Sequence, residues 1–330
     1  MAFTSDHQKS LIQSFHDPLH PTTLCTMSGG DFKFISRTEI GYVTISSSND
    51  PIHGTSVIGR MSLTDLKPVT VVEVRGYAVQ FAWSPDGSSV AYLVYLEASG
   101  NANQLWLKTG TALPQALTPP ITFGGRGGSV DDQVLVSFSH DGRYVLVVDT
   151  ALAGAVPASP DQASVQVHSV PDGNLVFVPP SALTSSGKLD PFVTMAAWSR
   201  QTDRLYYRDP AGVHTWDPPA AEGMLAAGLR WFFPSMSPDD RFVAYAVNMR
   251  EQPHVEVRDL CSNKVQVIPG TRGSPLFITA NMLFEAEYTL GQPGPGPPYG
   301  PYGRNFMFDL RTNLETPIPG NIIPTDYWPH

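Results

Sequence analysis

The sequence predicts an all-β fold assembled from repeated antiparallel units, and two observations support this prediction. The chain contains 28 glycines and 31 prolines among 330 residues, which favours many short strands joined by turns. A strand–turn–strand pattern recurs along the chain and is clearest in FAWSPDGSSVAYL at 81–93. No segment approaches the roughly 18 consecutive apolar residues that a membrane-spanning helix needs.

The repeat consists of an apolar anchor, a serine, a short polar turn and a second apolar strand. In four copies an apolar residue follows the anchor seven positions later: Trp83 and Val90, Phe138 and Val145, Trp198 and Leu205, Met236 and Val243. In two weaker copies the spacing is one residue shorter: Phe34 and Ile40, Phe277 and Leu283. Apolar positions that flank a turn at constant spacing indicate the two strands of a hairpin.

Each hairpin is followed by two further strand-like segments, for example SVQVHSVPDGNLVFV at 164–178. Four antiparallel strands at a period of roughly 40 to 60 residues are typical of a propeller blade. One blade cannot bury both of its faces alone, whereas six blades around an axis can. The sequence therefore predicts a six-bladed β-propeller of four-stranded antiparallel blades.

We expect a single propeller over 27–319, with an N-terminal extension at 1–26 and a C-terminal tail at 320–330. The predicted blades span 27–74, 75–118, 130–178, 190–220, 228–270 and 273–319. The extension is expected to hold a short helix at 5–16 and a candidate closing strand at 22–26. Ring closure stays open, because LETPIP at 314–319 also fits the fourth strand of the last blade.

The segment WSPDG at 83–87, followed by an aliphatic and aromatic strand, resembles the PD40 repeat, the WD40-like repeat of TolB-type propellers. The resemblance covers about 30–318 of the chain. The motif is strong in the second and fifth copies, partial in the third, where His140 replaces proline, and degenerate in the fourth. The resemblance implies a six-bladed propeller, and it leaves the function open because this fold hosts both binding modules and enzymes.

The aspartates of the repeated turn, Asp86, Asp141 and Asp239, are predicted to cap the turn rather than to act as catalytic acids. Proline fixes φ at the second turn position, and an Asp or Ser side chain can hydrogen-bond the turn backbone. A catalytic acid normally occurs once in a chain rather than once in every blade.

The two ends of a four-stranded blade carry different connections. The turns after the first and third strands share one end, and the loop after the second strand shares the other with the link between blades. The second end has the long segments, so we expect the functional site there, at the channel mouth opposite the aspartate turns. Its links carry Arg75, Arg126, Lys188, Arg230 and Arg272, which would suit an anionic ligand or an acidic peptide.

The candidate ligand-binding residues of this channel mouth are Tyr77, Arg126, Arg230, Trp231, Arg272 and Tyr288. The catalytic residues stay unknown, and the weak candidates are His53, Glu287, Asp131 and Asp132. The nine histidines form no H-E-x-x-H cluster, so neither a metal site nor a cofactor is predicted. The chain also lacks a G-x-S-x-G nucleophile motif.

The composition of the chain limits the classes of binding partner and the cellular compartment that we expect. A net charge of −9 and a pI of about 5.4 argue against nucleic-acid binding, and we expect a monomer without membrane association. Cys25 and Cys261 lie far apart and are expected to be free and mostly buried, with a disulfide between them as the alternative. The first residues contain no apolar core of a signal peptide, which indicates a cytoplasmic protein as given, or a periplasmic or secreted one if a signal was removed.

Three functions are compatible with these features. The first is a propeller scaffold that binds a protein, a peptide or a small ligand, anions included, at the channel mouth. The second is a stand-alone propeller enzyme of hydrolase, lyase or cyclase type that uses acid and base side chains around the channel. The third is a purely structural assembly part. The sequence favours the binding scaffold because it contains no recognisable catalytic motif.

Overall fold

The computed structural model describes residues 2–6, 9–14, 22–28, 31–45, 54–96, 102–122, 134–149, 165–170, 172–180, 196–249, 251–290, 299–300, 303–318 and 324–327. The chain forms two compact units. The four-blade unit comprises Gly30–Trp198 and Thr202–Leu225, and the terminal unit comprises Met1–Gly29, Ser199–Gln201 and Ala226–His330. No helix within the described ranges is long and apolar enough to cross a membrane.

The described residues form short strands along the whole chain. In chain order they are β1 (Ala2–Asp6), β2 (Lys9–Ser14), β3 (Thr22–Ser28), β4 (Asp31–Ser36), β5 (Glu39–Ile45), β6 (Thr55–Ser62), β7 (Pro68–Arg75), β8 (Tyr77–Trp83), β9 (Ser89–Leu96), β10 (Ala102–Thr109), β11 (Gln115–Ala116), β12 (Ile121–Thr122), β13 (Val134–Phe138), β14 (Tyr144–Asp149), β15 (Val165–Ser169), β16 (Leu175–Phe177), β17 (Ala196–Trp198), β18 (Leu205–Asp209), β19 (Gly212–Asp217), β20 (Ala221–Ala227), β21 (Phe232–Met236), β22 (Phe242–Val247), β23 (His254–Asp259), β24 (Val265–Val267), β25 (Arg272–Phe277), β26 (Met282–Glu287), β27 (Thr289–Leu290), β28 (Tyr299–Gly300), β29 (Asn305–Asp309), β30 (Leu314–Ile318) and β31 (Pro324–Tyr327).

Each of the six predicted repeats forms one antiparallel sheet, and these sheets are called blades 1 to 6. In the four-blade unit, blade 1 has the order β4-β5-β6-β7, and blade 2 has the order β8-β9-β10-β11 with β12 also paired to β10. Blades 3 and 4 have the orders β13-β14-β15-β16 and β17-β18-β19-β20. All described pairings within these blades are antiparallel, as the repeat predicts.

The terminal unit holds blade 5, with the order β21-β22-β23-β24, and blade 6, with the order β25-β26-β29-β30. Strands β27 and β28 extend the connection between the second and third strands of blade 6 as a two-stranded hairpin. A further four-stranded sheet has the order β3-β2-β1-β31 and pairs the two ends of the chain with each other.

This further sheet corrects the prediction for the N-terminal extension. The predicted helix at 5–16 is wrong, because parts of this segment belong to β1 and β2. A short isolated helix is marginal in water, whereas strand pairing supplies partners to the backbone groups of both chain ends. LETPI at 314–318 is the fourth strand of blade 6, and TTLCT at 22–26 lies in β3 at the edge of the further sheet.

Two smaller expectations also need correction. The fourth strand of blade 4 is β20 at Ala221–Ala227, beyond the predicted end of that blade at 220. Cys261 is free as expected but exposed rather than buried, because it lies in the turn between β23 and β24. The side chain of Cys25 lies outside the described part of the structure.

The repeated apolar anchors are direct cross-strand partners. Trp83 pairs with Val90, and the register is the same in the other copies: Phe138 with Val145, Trp198 with Leu205, Met236 with Val243, Phe34 with Ile40 and Phe277 with Leu283. The second residue of every pair is fully buried. The constant spacing in the sequence therefore reports the register of each hairpin.

Apolar layers lie between consecutive blades inside each unit. In the four-blade unit one layer joins blades 1 and 2, one joins blades 2 and 3, and one joins blades 3 and 4. In the terminal unit a layer joins blades 5 and 6, with Val255 facing Phe277 and Leu283. A fully buried valine, leucine or phenylalanine contributes about 1.5–3 kcal/mol, so these layers dominate the stability of each unit.

The repeated turns are closed by a common set of hydrogen bonds. In blade 2, Ser84 Oγ donates to Asp86 Oδ1 at 2.6 Å, and the same oxygen accepts the amide of Ser88 at 3.0 Å. Ser84 Oγ also accepts the amide of Ser89 at 2.9 Å. The same bonds recur in blades 3 and 5: Ser139, Asp141, Arg143 and Tyr144; Ser237, Asp239, Arg241 and Phe242. The prediction that these aspartates cap turns is confirmed.

Neighbouring turns also contact each other. In the four-blade unit, Asp203 accepts the amide of Asp141 and the Arg143 guanidinium, each at 3.0 Å. In the terminal unit, Asp240 has a left-handed φ of 56° and accepts the amide of Gln201 at 2.9 Å. The turns are therefore used both within blades and for the contacts between consecutive repeats.

Replacing Gly41 by alanine is predicted to destabilise the protein by about 1–3 kcal/mol. A Cβ atom at this position in β5 would overlap the indole of Trp83 across the layer between blades 1 and 2. The measurement is equilibrium unfolding in urea. In a Trp83→Phe background, Gly41→Ala is expected to cause a smaller loss, and equal losses in both backgrounds would contradict the proposed overlap.

Replacing Asp86 by alanine is predicted to lower the unfolding free energy by about 1–2 kcal/mol at neutral pH. The hydrogen bonds from Ser84 Oγ and from Ser88 lower the pKa of the Asp86 carboxyl. Because this pKa is lowered in the fold, the stabilisation is present above the unfolded pKa of about 3.9 and is lost as pH falls.

The effect of Asp86→Ala should therefore shrink in acid, which thermal unfolding at several pH values can measure. The control is Asp172→Ala in the turn between β15 and β16, where the aspartate is exposed and caps no described turn. This variant should stay within about 0.5 kcal/mol of the wild type. An equal loss in both variants would argue against the turn bonds as the cause.

Candidate functional site

The structure places the predicted site residues in three groups. His53, Arg126, Asp131 and Asp132 lie outside the described residues. Tyr77 is described only in its backbone, at the start of β8 opposite Tyr95. The other candidates belong to the terminal unit, at the ends of blades 5 and 6 opposite the turns: Arg230, Trp231, Arg272, Glu287 and Tyr288.

Arg272 is the centre of a buried charge cluster in blade 6. Its Nε donates to Glu315 Oε1 at 2.8 Å and its Nη2 to Glu315 Oε2 at 2.9 Å, so the two groups form a bidentate pair. Its guanidinium carbon lies 4.1 Å from the ring centre of Phe306. Arg272 begins β25 and Glu315 lies in β30, so the pair crosses the sheet from its first strand to its last.

Glu285 lies beneath this pair and is fully buried in β26. Neither of its carboxyl oxygens accepts a hydrogen bond from a donor, and Arg272 Nε is 3.9 Å from Glu285 Oε1. Burial raises the pKa of Glu285 well above its usual range, and the neighbouring Glu315 carboxylate raises the pKa further. Glu285 is therefore a neutral acid over a pH range in which exposed glutamates are ionised.

Glu287, two residues further along β26, has the opposite character. It accepts the amide of Arg304 at 3.1 Å, and the Arg304 guanidinium lies 3.4 Å from the same oxygen. These bonds, and then the charge of Arg272, lower the pKa of Glu287. Glu287 is therefore an ionised acceptor at neutral pH, which does not suit the role of a general acid.

Tyr288 is held by its own blade. Its hydroxyl is 2.6 Å from Ser274 Oγ, its amide donates to the carbonyl of Thr271 at 3.0 Å, and the side chain is 5% exposed. Its ring covers Gly273, where a Cβ atom would clash with it. Ser274 has a left-handed φ of 49° at a bulge in β25, and this bulge brings its hydroxyl to Tyr288.

Trp231 and Arg230 are neighbours in sequence but lie in different environments. Trp231 is fully buried, with its ring centre 5.8 Å from that of Tyr245, so its indole contributes packing rather than an accessible surface. Arg230 is exposed at the start of blade 5, and its side chain makes no ion pair or hydrogen bond with any described residue. Of the predicted cations in the described ranges of the terminal unit, Arg230 is the accessible one and Arg272 the buried one.

The structure brings Arg272, Glu287 and Tyr288 together and adds two residues that were not predicted as site residues, Glu285 and Glu315. The sequence signal for Glu285 is an acidic residue inside the apolar strand MLFEAE, on the face that also carries the buried Leu283. Glu315 gives no comparable signal, because it is far from Arg272 in sequence and its role depends on the sheet order. In the described part of the chain, no group of three His, Cys, Asp or Glu side chains is arranged to hold a metal ion.

Comparisons with known proteins identify the fold of this chain but assign it to no family. No protein-family model matches the chain, and no curated protein matches it. Among solved structures, one from a study of two prolyl endopeptidases superposes with a TM-score of 0.61 at 14% identity, covering 98% of this chain and 48% of the other. This chain therefore spans about half the length of that endopeptidase chain.

Two further structures are similar. The β-propeller domain of the Trilobed protease from Pyrococcus furiosus has a TM-score of 0.56 at 13% identity, covering 87% of this chain and 81% of the other. TolB from Acinetobacter baumannii has a TM-score of 0.49 at 13% identity, covering 96% and 78%. The sheets and the superposition on the Pyrococcus domain confirm the predicted fold class, an all-β propeller with six blades of antiparallel strands. The sheet formed by the two chain ends is additional to those six blades.

Replacing Arg272 by glutamine is predicted to destabilise the protein by about 3 kcal/mol or more. The substitution removes the bidentate partner of Glu315 from a cluster that also contains Glu285 and Glu287. Urea unfolding at neutral pH measures the loss. The matched control is Arg304→Gln, which removes an exposed guanidinium from the same cluster and should change the stability by less than about 1 kcal/mol. Similar losses in both variants would contradict the central role of Arg272.

Proposed function

We propose that this chain is a binding propeller whose ligand docks at the blade ends opposite the Ser-Pro-Asp-Gly turns. The observation that carries the proposal is the different use of the two blade ends. At the turn end, the repeated serines and aspartates are occupied by hydrogen bonds within turns and between neighbouring turns. At the other end, the terminal unit presents the exposed Arg230 without a described partner.

The lengths of the connecting segments also support a binding site at the blade ends opposite the repeated turns. The second and third strands of blades 1, 2, 3 and 6 are joined by segments 46–54, 97–101, 150–164 and 288–304. The repeated turns at the opposite end contain only a few residues each. Long connections on a scaffold of regular strands are the usual location of binding residues. The ligand is a protein, a peptide or a small molecule.

The available charge favours an anionic group on this ligand. Arg230 is an exposed cation in a protein with a net charge of −9, and it has no described carboxylate partner. Carboxylates of an acidic peptide, or a phosphate group, are the natural partners of a free guanidinium. Arg126 and Tyr77 remain proposed ligand-binding residues from their sequence positions alone, whereas Arg272 and Tyr288 support this end of blade 6 from inside the blade.

The enzyme alternative receives less support from the described residues. Glu287 is held ionised by Arg304, and Glu285 is a buried neutral acid without solvent access. A general acid or base has to reach a substrate proton and to change its protonation state near the working pH. Neither glutamate meets both conditions in this arrangement, so binding is proposed instead of catalysis.

The proposal is tested by thermal-shift measurements with inorganic phosphate, citrate, a synthetic octaglutamate peptide and a neutral peptide of equal length. We expect at least one anionic probe to raise the melting temperature of the wild type in a saturable way. Arg230→Glu should weaken the apparent affinity for that probe by about tenfold or more. The neutral peptide should give no shift.

The control variant is Lys264→Glu, which makes the same charge change at the turn end of the same blade, in the turn between β23 and β24. It should leave the affinity within about twofold of the wild type. A complete absence of shifts would argue against an anion-binding site. An affinity that falls with Lys264→Glu but not with Arg230→Glu would place the site at the wrong end of the blade.

A further inference from the structure

The buried cluster of blade 6 has an imbalance of charge. Arg272 provides one positive charge, whereas Glu285, Glu287 and Glu315 would provide three negative charges if all were ionised. The exposed Arg304 neutralises Glu287, so one negative charge is left over inside the blade. A buried carboxylate without a partner is costly, so the cluster needs one more cation or one proton.

The geometry identifies the group that takes the proton. The Nε and Nη2 atoms of Arg272 are committed to Glu315, and its Nη1 lies 3.3 Å from the carbonyl of Thr271. Glu285 is left with two oxygens that accept no hydrogen bond, inside a fully buried side chain. Glu285 Oε1 and Glu315 Oε1 lie 3.9 Å and 2.8 Å from the same Arg272 Nε atom. A protonated Glu285 has an O–H group that can donate to this neighbouring Glu315, and protonation then removes both the unpaired charge and the unsatisfied site.

We propose that Glu285 and Glu315 share one proton. Because this proton keeps Glu285 neutral, Arg272 stays paired with Glu315 and connects β25 to β30. This proton-dependent connection between the two edge strands is called the latch. Loss of the proton makes Glu285 a second anion next to Arg272. The Nε atom of Arg272 is 3.9 Å from Glu285 Oε1 and 2.8 Å from Glu315 Oε1. Ionised Glu285 then competes for the guanidinium, and the bidentate pair that joins the two edges of the blade is weakened. This inference is independent of the proposed binding function.

The surroundings of Glu285 leave few other groups that could set this proton equilibrium. Glu287 on the same strand is engaged by Arg304, β29 contributes Phe306 opposite Glu285, and β25 and β30 contribute Arg272 and Glu315. The layer from blade 5 that packs on this face of blade 6 is apolar: Val255, Val257 and Ile268. In the described part of the terminal unit, the charged groups that act on Glu285 are therefore Arg272 and Glu315.

The sign of the pH dependence follows from the raised pKa of Glu285. A carboxyl group whose pKa is higher in the folded than in the unfolded chain stabilises the fold fully below the unfolded pKa of about 4.3. This stabilisation is lost as pH rises through the raised pKa. The latch is therefore closed at the acid side of the transition and weakened at the alkaline side.

The first test is infrared spectroscopy of the full chain at about pH 6.5, where an unperturbed glutamate with a pKa of about 4.3 is ionised. The wild type is expected to show the carbonyl stretch of a protonated carboxyl group. Glu285→Gln should lose this band, and Glu287→Gln should keep it. A wild-type spectrum without the band, or a band that survives in Glu285→Gln, would overturn the shared proton.

The second test follows the latch by hydrogen exchange and mass spectrometry between pH 5.5 and 8.5, corrected for the intrinsic pH dependence of exchange. The protection of 314–318 in β30 should fall with rising pH in the wild type, while that of 265–267 in β24 stays constant as an internal reference. In Glu285→Gln the protection of β30 should not depend on pH, because the amide cannot ionise and can still donate to Glu315.

Thermal unfolding gives a third readout. The melting temperature of Glu285→Gln should exceed that of the wild type by roughly 2 °C or more at pH 8.5, and the difference should vanish towards pH 5. If Glu285→Gln does not fold, the wild-type infrared band and the exchange of β30 against β24 still decide the proposal. The infrared band of a protonated carboxyl group without a selective pH-dependent change in the exchange protection of β30 would overturn the latch. Equal changes of melting temperature with pH in the wild type and in Glu285→Gln would overturn it as well.

Discussion

Each blade of this chain is an antiparallel sheet that is apolar on both faces, and the structure depends on the burial of both faces. Strand β9 shows how this is achieved, because Val90, Tyr92 and Val94 lie in the layer between blades 1 and 2, whereas Ala91 and Leu93 lie in the layer between blades 2 and 3. Burial on both faces requires a neighbouring sheet on each side. The same requirement explains close approaches such as that of Trp83 to Gly41, where no larger residue than glycine fits.

The charge cluster of blade 6 is the exception to this apolar rule. Arg272, Glu285 and Phe306 share a face with Leu283, which belongs to the apolar layer against blade 5. Buried ion pairs are often no more stabilising than well-packed apolar residues of similar volume. Stability alone is therefore a poor explanation for three carboxyl groups around one guanidinium, and a role that depends on protonation explains the composition of the cluster better.

The sequence was sufficient for the hairpins and insufficient for long-range pairing. The seven-residue spacing and the Ser-Pro-Asp-Gly turns encode local structure, so the register and the turn caps could be predicted from one repeat at a time. Strand β1 pairs with β31 at the other end of the chain, which no local pattern can indicate. Strand β2 pairs with its sequence neighbours β1 and β3, and it was missed because this segment lacks the repeated turn motif. Strand β20, AEGMLAA, was missed because alanine, glutamate, methionine and leucine favour helices locally, and only the sheet decides otherwise.

The candidate site follows the same division between local and distant information. Arg272 was found because it begins a repeat, but its partner Glu315 lies two strands beyond β26 and can be recognised only when the sheet order is known. The polar residues of the repeated turns, although the most visible motif in the sequence, are occupied by capping and by contacts between turns. In this chain the motif that repeats therefore builds the scaffold, and the residues that we propose for function are those that interrupt the repeat, such as Glu285 in an apolar strand and Arg230 at the start of a blade, which has no described partner.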